Sequence, residues 1–295
     1  MTTPSNLSRT LTWLTRSAML LSGLLCLGLT NCQKADTTPA PAPANIKLAT
    51  SASLGPLLTD SVGNTVYAFA LDVDGANTCT SASCNPMWPV YYGGAIRVPA
   101  GLNASDFTSK KTTDGRAQTY YKGWPLYYYA PPANGINTRE AAGQTGGNGI
   151  GNVWFVVNPS YGVTVGRKSV ADQTTNTATT KTYLTDDQGR TLYYFAKDDS
   201  APTTQPTNCT GNCASVWPAL YLGPPAMPSS LKASDFGTIT RAASTSGPYS
   251  SAGSTQQLTY KGHPLYYFAT DNTTRGRVTG DHLSSFGDYW YVAVP

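Results

Sequence analysis

One stretch of this chain is written four times, and that repetition limits the possible fold more than any other feature. The fullest version is Tyr183-Leu-Thr-Asp-Asp-Gln-Gly-Arg-Thr-Leu-Tyr-Tyr-Phe-Ala-Lys-Asp198. It predicts a β-hairpin. Tyr183 to Thr185 run up, Asp186-Asp187-Gln188-Gly189 turn, and Arg190 to Ala196 run down. Asp, Asn and Gly tolerate the left-handed backbone that a tight turn requires. Leu58-Thr-Asp-Ser-Val-Gly-Asn-Thr-Val-Tyr67-Ala-Phe69 repeats it nearly residue for residue. Tyr121-Lys-Gly-Trp-Pro-Leu-Tyr127-Tyr-Tyr129 and Tyr260-Lys-Gly-His-Pro-Leu-Tyr266-Tyr-Phe268 are a second version with a shorter turn.

A longer period lies over the short one. Cys84-x3-Trp88-Pro89 matches Cys213-x3-Trp217-Pro218, and Leu102-Asn-Ala-Ser-Asp-Phe107 matches Leu231-Lys-Ala-Ser-Asp-Phe236. Val153-Trp154 matches Tyr289-Trp290. The order is kept while the offset drifts between 126 and 139 residues, as loop insertions would produce. Two tandem β domains follow, 46–159 and 160–295. Each holds an opening strand, a hairpin, a Cys-bearing loop, a Trp-Pro strand, a loop with Ala-Ser-Asp-Phe, a second hairpin and a closing Trp strand. The polar stretch 172–181 reads either as a linker or as a long loop within the second copy. Short strands between Gly, Pro and Asn turns predict an all-β, antiparallel fold, as a sandwich, a barrel or a blade-like sheet. Charged residues make up only 12% of the chain, and 19 tyrosines suit strands. No stretch beyond residue 32 sustains a 3.6-residue apolar period, so little helix is expected after the export segment.

The N-terminus reads as an address. Arg9 and Arg16 precede the apolar run 18–29, which has the length of a signal-peptide core and is too short for a permanent anchor. The run ends at Leu29-Thr-Asn-Cys32, which resembles the bacterial lipobox with Asn in place of the usual small residue before the Cys. Residues 1–31 are expected to be a lipoprotein signal and Cys32 the lipidated residue. Residues 32–45, rich in Pro and Ala, are expected to form a semi-rigid tether. Gln33 after the Cys favours the outer membrane by resemblance to sorting rules, on its periplasmic face or at the cell surface. Without the two export-segment arginines the net charge is +2, too weak and scattered for a nucleic-acid footprint.

In the descending strands alternate residues face opposite sides. Tyr67/Phe69, Tyr127/Tyr129, Tyr193/Phe195 and Tyr266/Phe268 share one face, while Tyr194 and Tyr267 belong to the other. Both faces are apolar, so such strands are either buried on both sides or lend one side to a partner. A tyrosine-lined surface for a sugar or a planar cofactor is the functional form of that reading.

Together these motifs resemble the bacterial predicted lipoproteins with a Yx(F/W/Y)xxD motif, also called the secreted repeat of unknown function. The motif stands at Tyr67-Ala-Phe69-Ala-Leu-Asp72, Tyr193-Tyr-Phe195-Ala-Lys-Asp198 and Tyr266-Tyr-Phe268-Ala-Thr-Asp271. The fourth instance, Tyr127-Tyr-Tyr129-Ala-Pro-Pro132, lacks the Asp. The resemblance implies an exported, lipid-anchored repeat protein of unassigned activity.

Six cysteines, less Cys26 in the signal and Cys32, leave the near pairs Cys79/Cys84 and Cys209/Cys213, one per copy. In an oxidising compartment each pair is expected to form a local disulfide. Soft-metal binding, of copper for instance, or a redox role for the two loops is the alternative. The motif carboxylates Asp72, Asp198 and Asp271 read as caps of the turn that follows each strand. Asp72, Asp74 and Asn77 also offer oxygens at alternating positions, a calcium reading that the second copy does not keep. His263 and His282 are the only histidines; His263 stands where the first copy has Trp124, and Ser284 follows His282 without making a triad by sequence proximity alone. No catalytic, metal or cofactor site is assigned. The expected function is a non-catalytic binding or structural module of the cell envelope, with a glycan, haem or an envelope protein as ligand.

Overall fold

The shorter of the two repeated turns shows most simply how residues become structure. Lys122-Gly123 and Lys261-Gly262 each place two successive residues at positive φ, 46° and 81° in one and 48° and 83° in the other. Two such residues twist the chain the way paired antiparallel strands twist, and glycine takes the second position without strain. Tyr121 therefore pairs with Trp124, and Tyr260 with His263.

The computed structural model describes residues 45–200, 208–241, 255–271 and 274–295. The expected signal segment, Cys32 and most of the tether lie outside the described residues. The first copy contains β1 (Ile46–Ser51), β2 (Gly55–Asp60), β3 (Tyr67–Phe69), the one-turn helix α1 (Cys84–Met87), β4 (Phe107–Lys111), β5 (Ala117–Tyr121), β6 (Trp124–Pro125), β7 (Pro132–Ala133), β8 (Ile136–Asn137) and β9 (Trp154–Val156). The second contains β10 (Val163–Ala171), β11 (Ala178–Asp186), β12 (Tyr193–Phe195), α2 (Asn212–Val216), β13 (Phe236–Thr240), β14 (Gln256–Tyr260), β15 (His263–Pro264), β16 (Leu283–Ser285) and β17 (Asp288–Val292). The pairings repeat as well. β1–β2 corresponds to β10–β11, β3–β9 to β12–β17, and β4–β5–β6 to β13–β14–β15. The fold is all-β and antiparallel, assembled from small sheets rather than a closed barrel.

Three local readings change. The longer repeat is not a full hairpin. β11 pairs along its whole length with β10, and only the Thr185–Thr191 bridge joins it to the descending segment. The descending strand β12 instead pairs with β17 at the far end of the sequence, because Phe195 finds Trp290 there. The Trp-Pro segments are not strands either. Trp88 and Trp217 each end a one-turn helix, and only isolated bridges follow, Val90–Tyr127 in the first copy and Ala219–Tyr266 and Tyr221–Gln257 in the second. The stretch 172–181 is neither a linker nor all loop, since 172–177 form the turn of the β10–β11 hairpin and 178–181 open β11. Asp172 accepts the amides of Thr174 and Thr175 and closes the turn between β10 and β11.

Each copy is built around a column of four rings. Phe69, Trp154, Trp88 and Tyr129 follow one another at centroid spacings of 3.9, 3.7 and 4.7 Å. Phe195, Trp290, Trp217 and Phe268 do the same at 4.2, 3.9 and 4.1 Å. All four tryptophans are buried. Offset and edge-on ring contacts add to the area such side chains remove from water.

The two copies share a core within one compact unit, 42–295. Val73 of the first copy lies against Gly166, where a Cβ would come within 2.7 Å of its methyl group. Ala70 and Phe155 pack with Val163, Val165 and Leu184 of the second copy. Lys122 pairs with Asp187 at 2.5 Å, and Lys168 with Asp74 at 2.6 Å. Arg275 enters this seam from the second copy. Its Nε donates to the carbonyl of Val73 and its Nη1 to those of Lys122 and Gln188, while the guanidinium lies over the Trp124 ring. Burial lowers its pKa to about 10, so it stays charged at neutral pH.

Replacing Arg275 with Ala removes three charge-assisted hydrogen bonds and a cation–π contact, and should cost about 3 kcal/mol in chemical denaturation. Arg275→Lys should recover less than half of that, because one ammonium cannot reach three carbonyls set around a planar fork. Equal midpoints for wild type and Arg275→Ala would refute the assigned role.

Candidate functional site

The repeated motif folds into a reciprocal exchange. Tyr193 and Tyr266 pair as an isolated two-residue bridge, each amide donating to the other's carbonyl at 2.9 Å. Their side chains then cross. The Tyr266 hydroxyl donates to Asp198 at 2.6 Å, and the Tyr193 hydroxyl donates to Asp271. Each tyrosine thus serves the carboxylate of the other motif. The first copy does the same with Tyr67 and Tyr127. Tyr127 donates to Asp72 at 2.5 Å, and Tyr67 donates to Glu140. Glu140 supplies the carboxylate that the fourth motif lacks. Its other oxygen accepts the Gly146 amide, as Asp271 accepts the Thr279 amide. The motif alone did not point to it. The signal was the missing Asp itself, since a buried Tyr67 hydroxyl still needs an acceptor.

Burial sets the charge states here. Asp72 is pushed up to about 6, although hydrogen bonds from Thr78 and Tyr127 pull the other way. Asp271 is raised, also by burial. The hydroxyls of Tyr67, Tyr127 and Tyr193 are raised, by burial first and by the adjoining carboxylates next, so they remain donors.

The residues singled out in the sequence are therefore mostly interior. Tyr67, Phe69, Asp72, Tyr193, Phe195, Asp198, Tyr266, Tyr267, Phe268 and Asp271 are all buried. Tyr267 donates to Asp186 and offers no surface. Tyr194 alone is half-exposed. The carboxylates do cap the loops that follow them, Asp72 through Thr78, Asp198 through Asn208 and Asp271 through Thr279. The carboxylate oxygens of the calcium reading are taken, since Asp72 accepts from Thr78 and Tyr127 and Asp74 from Ala76 and Lys168, whereas Asn77 donates to Gln118 and its Oδ1 is buried without a partner. Cys79–Cys84 and Cys209–Cys213 are disulfides, with Cα separations of 5.4 and 5.1 Å, so neither loop offers a thiolate to copper. His282 bonds Asp172, and among the described residues no hydrogen bond joins it to Ser284.

What the structure adds is a groove that occurs once per copy. In the first copy Ala68, Tyr121, Lys122, Trp124, Val157 and Asn158 line a narrow cleft. In the second, Tyr194, Tyr260, Lys261, His263, Ala293 and Val294 line a roomier one at the equivalent place. The second copy supplies one wall of the first, through Tyr161, Thr164, Val165 and Asp187. Among the described residues, none outside the second copy lines the other. There the registers Tyr194–Tyr291 and Tyr260–His263 replace Ala68–Phe155 and Tyr121–Trp124. A row of half-exposed rings results. His263, Tyr194, Tyr291, His282 and Tyr289 follow one another at 4.8, 5.6, 5.3 and 4.8 Å. Burial lowers the pKa of His263, and its Nδ1 is buried without a partner.

Fold and site together define an all-β protein of duplicated aromatic motifs with an equivalent groove in each copy. Residues 174–221 and 250–294 each match the family described as a secreted repeat of unknown function, two matches in tandem. Both matched segments lie in the second copy, one around each of its two motifs. No curated protein and no solved structure matches the chain.

Asp72 makes the exchange testable by pH. Its folded pKa lies above its unfolded value, so the fold binds the extra proton between pH 4 and 6. Its contribution is then full below about pH 4 and fades as pH rises through about 6. The stability difference between wild type and Asp72→Asn should shrink by about 3 kcal/mol from pH 4 to pH 7, the size of a two-unit shift. A flat difference across that range would exclude a raised Asp72.

Proposed function

We propose that this protein is a non-catalytic binding or structural module of the cell envelope, held at the outer membrane through a lipid on Cys32, and that it acts through the open groove of its second copy. One observation carries the reading. The same groove is present twice, and the exposed occurrence is lined by rings with polar edges. In the lining Ala68 is replaced by Tyr194 and Trp124 by His263, and beside it Phe155 and Val153 are replaced by Tyr291 and Tyr289, which continue the row of rings. Tyrosine and histidine keep an apolar body for a ligand and a polar edge for water. The description of the family as secreted supports export. The four cysteines of the two loops are spent on disulfides, which favours binding over thiolate or metal chemistry.

Titration with envelope glycans, haem and peptides, read by tryptophan fluorescence and calorimetry, should find a ligand whose affinity falls at least about tenfold in Tyr194→Ala, the loss of one ring contact and its buried area. The variant should fold as wild type does, because Ala68 occupies the same position in the first copy. A ligand whose affinity ignores both Tyr194→Ala and Tyr291→Ala would place binding elsewhere.

A further inference from the structure

We infer that the open groove of the second copy receives the β1–β2 hairpin of another molecule of this chain, so that the protein assembles head to tail. The inference rests on the groove reading above and names its occupant. Within one chain, the β10–β11 hairpin packs against Ala70 and Phe155 of the first copy and, with the turn that follows it, walls the first groove. The matching hairpin of the first copy is β1–β2, in which Leu48 stands where the second copy has Val165. Val165 is buried against the first copy, whereas Leu48 is 43% exposed. Val62, in the turn after β2, stands where the second copy has Gln188 and is 71% exposed. At the other end Val294, 45% exposed, borders the open groove. Each end of the molecule thus carries one half of a contact that the chain already makes internally. A contact between unlike patches does not close on itself as a two-fold dimer does, and it propagates.

The polar anchors of the seam are not repeated at the ends. By the register of the hairpins and their turns, Ser51 replaces Lys168, and Ser61 replaces Asp187. Ala142 replaces Arg275, as the matching bonds Gly143 N to Gly63 O and Gly276 N to Gly189 O establish. On the groove side Lys261 remains, but Ser200 replaces Asp74. The contact between molecules therefore keeps the apolar part and loses the ion pairs and the arginine plug. It is weaker than the seam, reversible, and insensitive to salt.

Sedimentation velocity on the full chain in mild detergent tests this. Wild type is expected to gain mass with concentration past that of a dimer, equally at low and high salt. Leu48→Arg and Tyr194→Arg should each stay monomeric when alone. Mixed, they should form a one-to-one dimer and nothing larger, because one retains the groove and the other the hairpin. Val62→Arg and Tyr291→Arg form a second such pair should either of the first fail to match wild type in thermal unfolding. A wild type that is monomeric throughout, or variants that mixing does not restore, would overturn the inference. If wild type stays monomeric while Tyr194→Ala abolishes ligand binding, the assembly fails and the groove reading stands. If neither assembly nor binding responds to groove substitutions, both fail.

Discussion

Everything in this fold hangs on two tyrosines per copy that meet as a bridge and then serve each other's carboxylate. A buried carboxylate is costly unless its oxygens are occupied. Here each receives a phenol from the opposite motif, and a backbone amide from the loop that follows its own strand. One charge thereby ties three segments far apart in sequence. Glu140 shows that the constraint is the acceptor and not the spacing. Its longer side chain closes a loop two residues shorter than the one Asp271 closes, and both hold the phenol of the bridge.

The tryptophan column depends on that bridge. Tyr67 and Tyr127 meet Trp88 and Trp154 edge-on, and Tyr193 and Tyr266 meet Trp217 and Trp290 in the same way. Moving a tyrosine to reach solvent would open both the carboxylate and the column. This is why the most repeated residues of the chain are the least available to a ligand. Function is left to positions beside the motif, where the two copies differ.

The architecture was legible in the sequence because duplicated motifs keep their order. Strand content, scarcity of helix and the cysteine pairing all followed from local patterns. The pairing of β12 with β17 was not legible. Thr185 and Thr191 bracket a sound turn, and nothing in the nearby residues says that Phe195 prefers Trp290, about a hundred residues away, to its neighbour in sequence. Tyr194 and Tyr267 looked alike for the same reason. Both alternate with motif residues, but one meets Asp186 inside and the other meets water. The groove was hidden because its lining changes identity between copies, and only the shared register of Ala68–Phe155 and Tyr194–Tyr291 reveals it.

The seam also explains how two nearly equal grooves are told apart during folding. Both could in principle take a hairpin, and a chain with two copies could pair the wrong ends. Arg275, Asp187 and Lys168 occur only on the second copy's hairpin and loops, and Asp74 only on the first copy's groove. The correct pairing alone satisfies all of them, and a misplaced hairpin would leave a guanidinium and a carboxylate unpaired in a buried seam. Such polar anchors serve specificity more than affinity. The tether between the copies is short, so the internal groove is filled at high effective concentration before any other molecule competes for it. On the assembly inferred above, what remains outside is an equivalent face with its anchors removed, suited to a partner that is met often and held lightly.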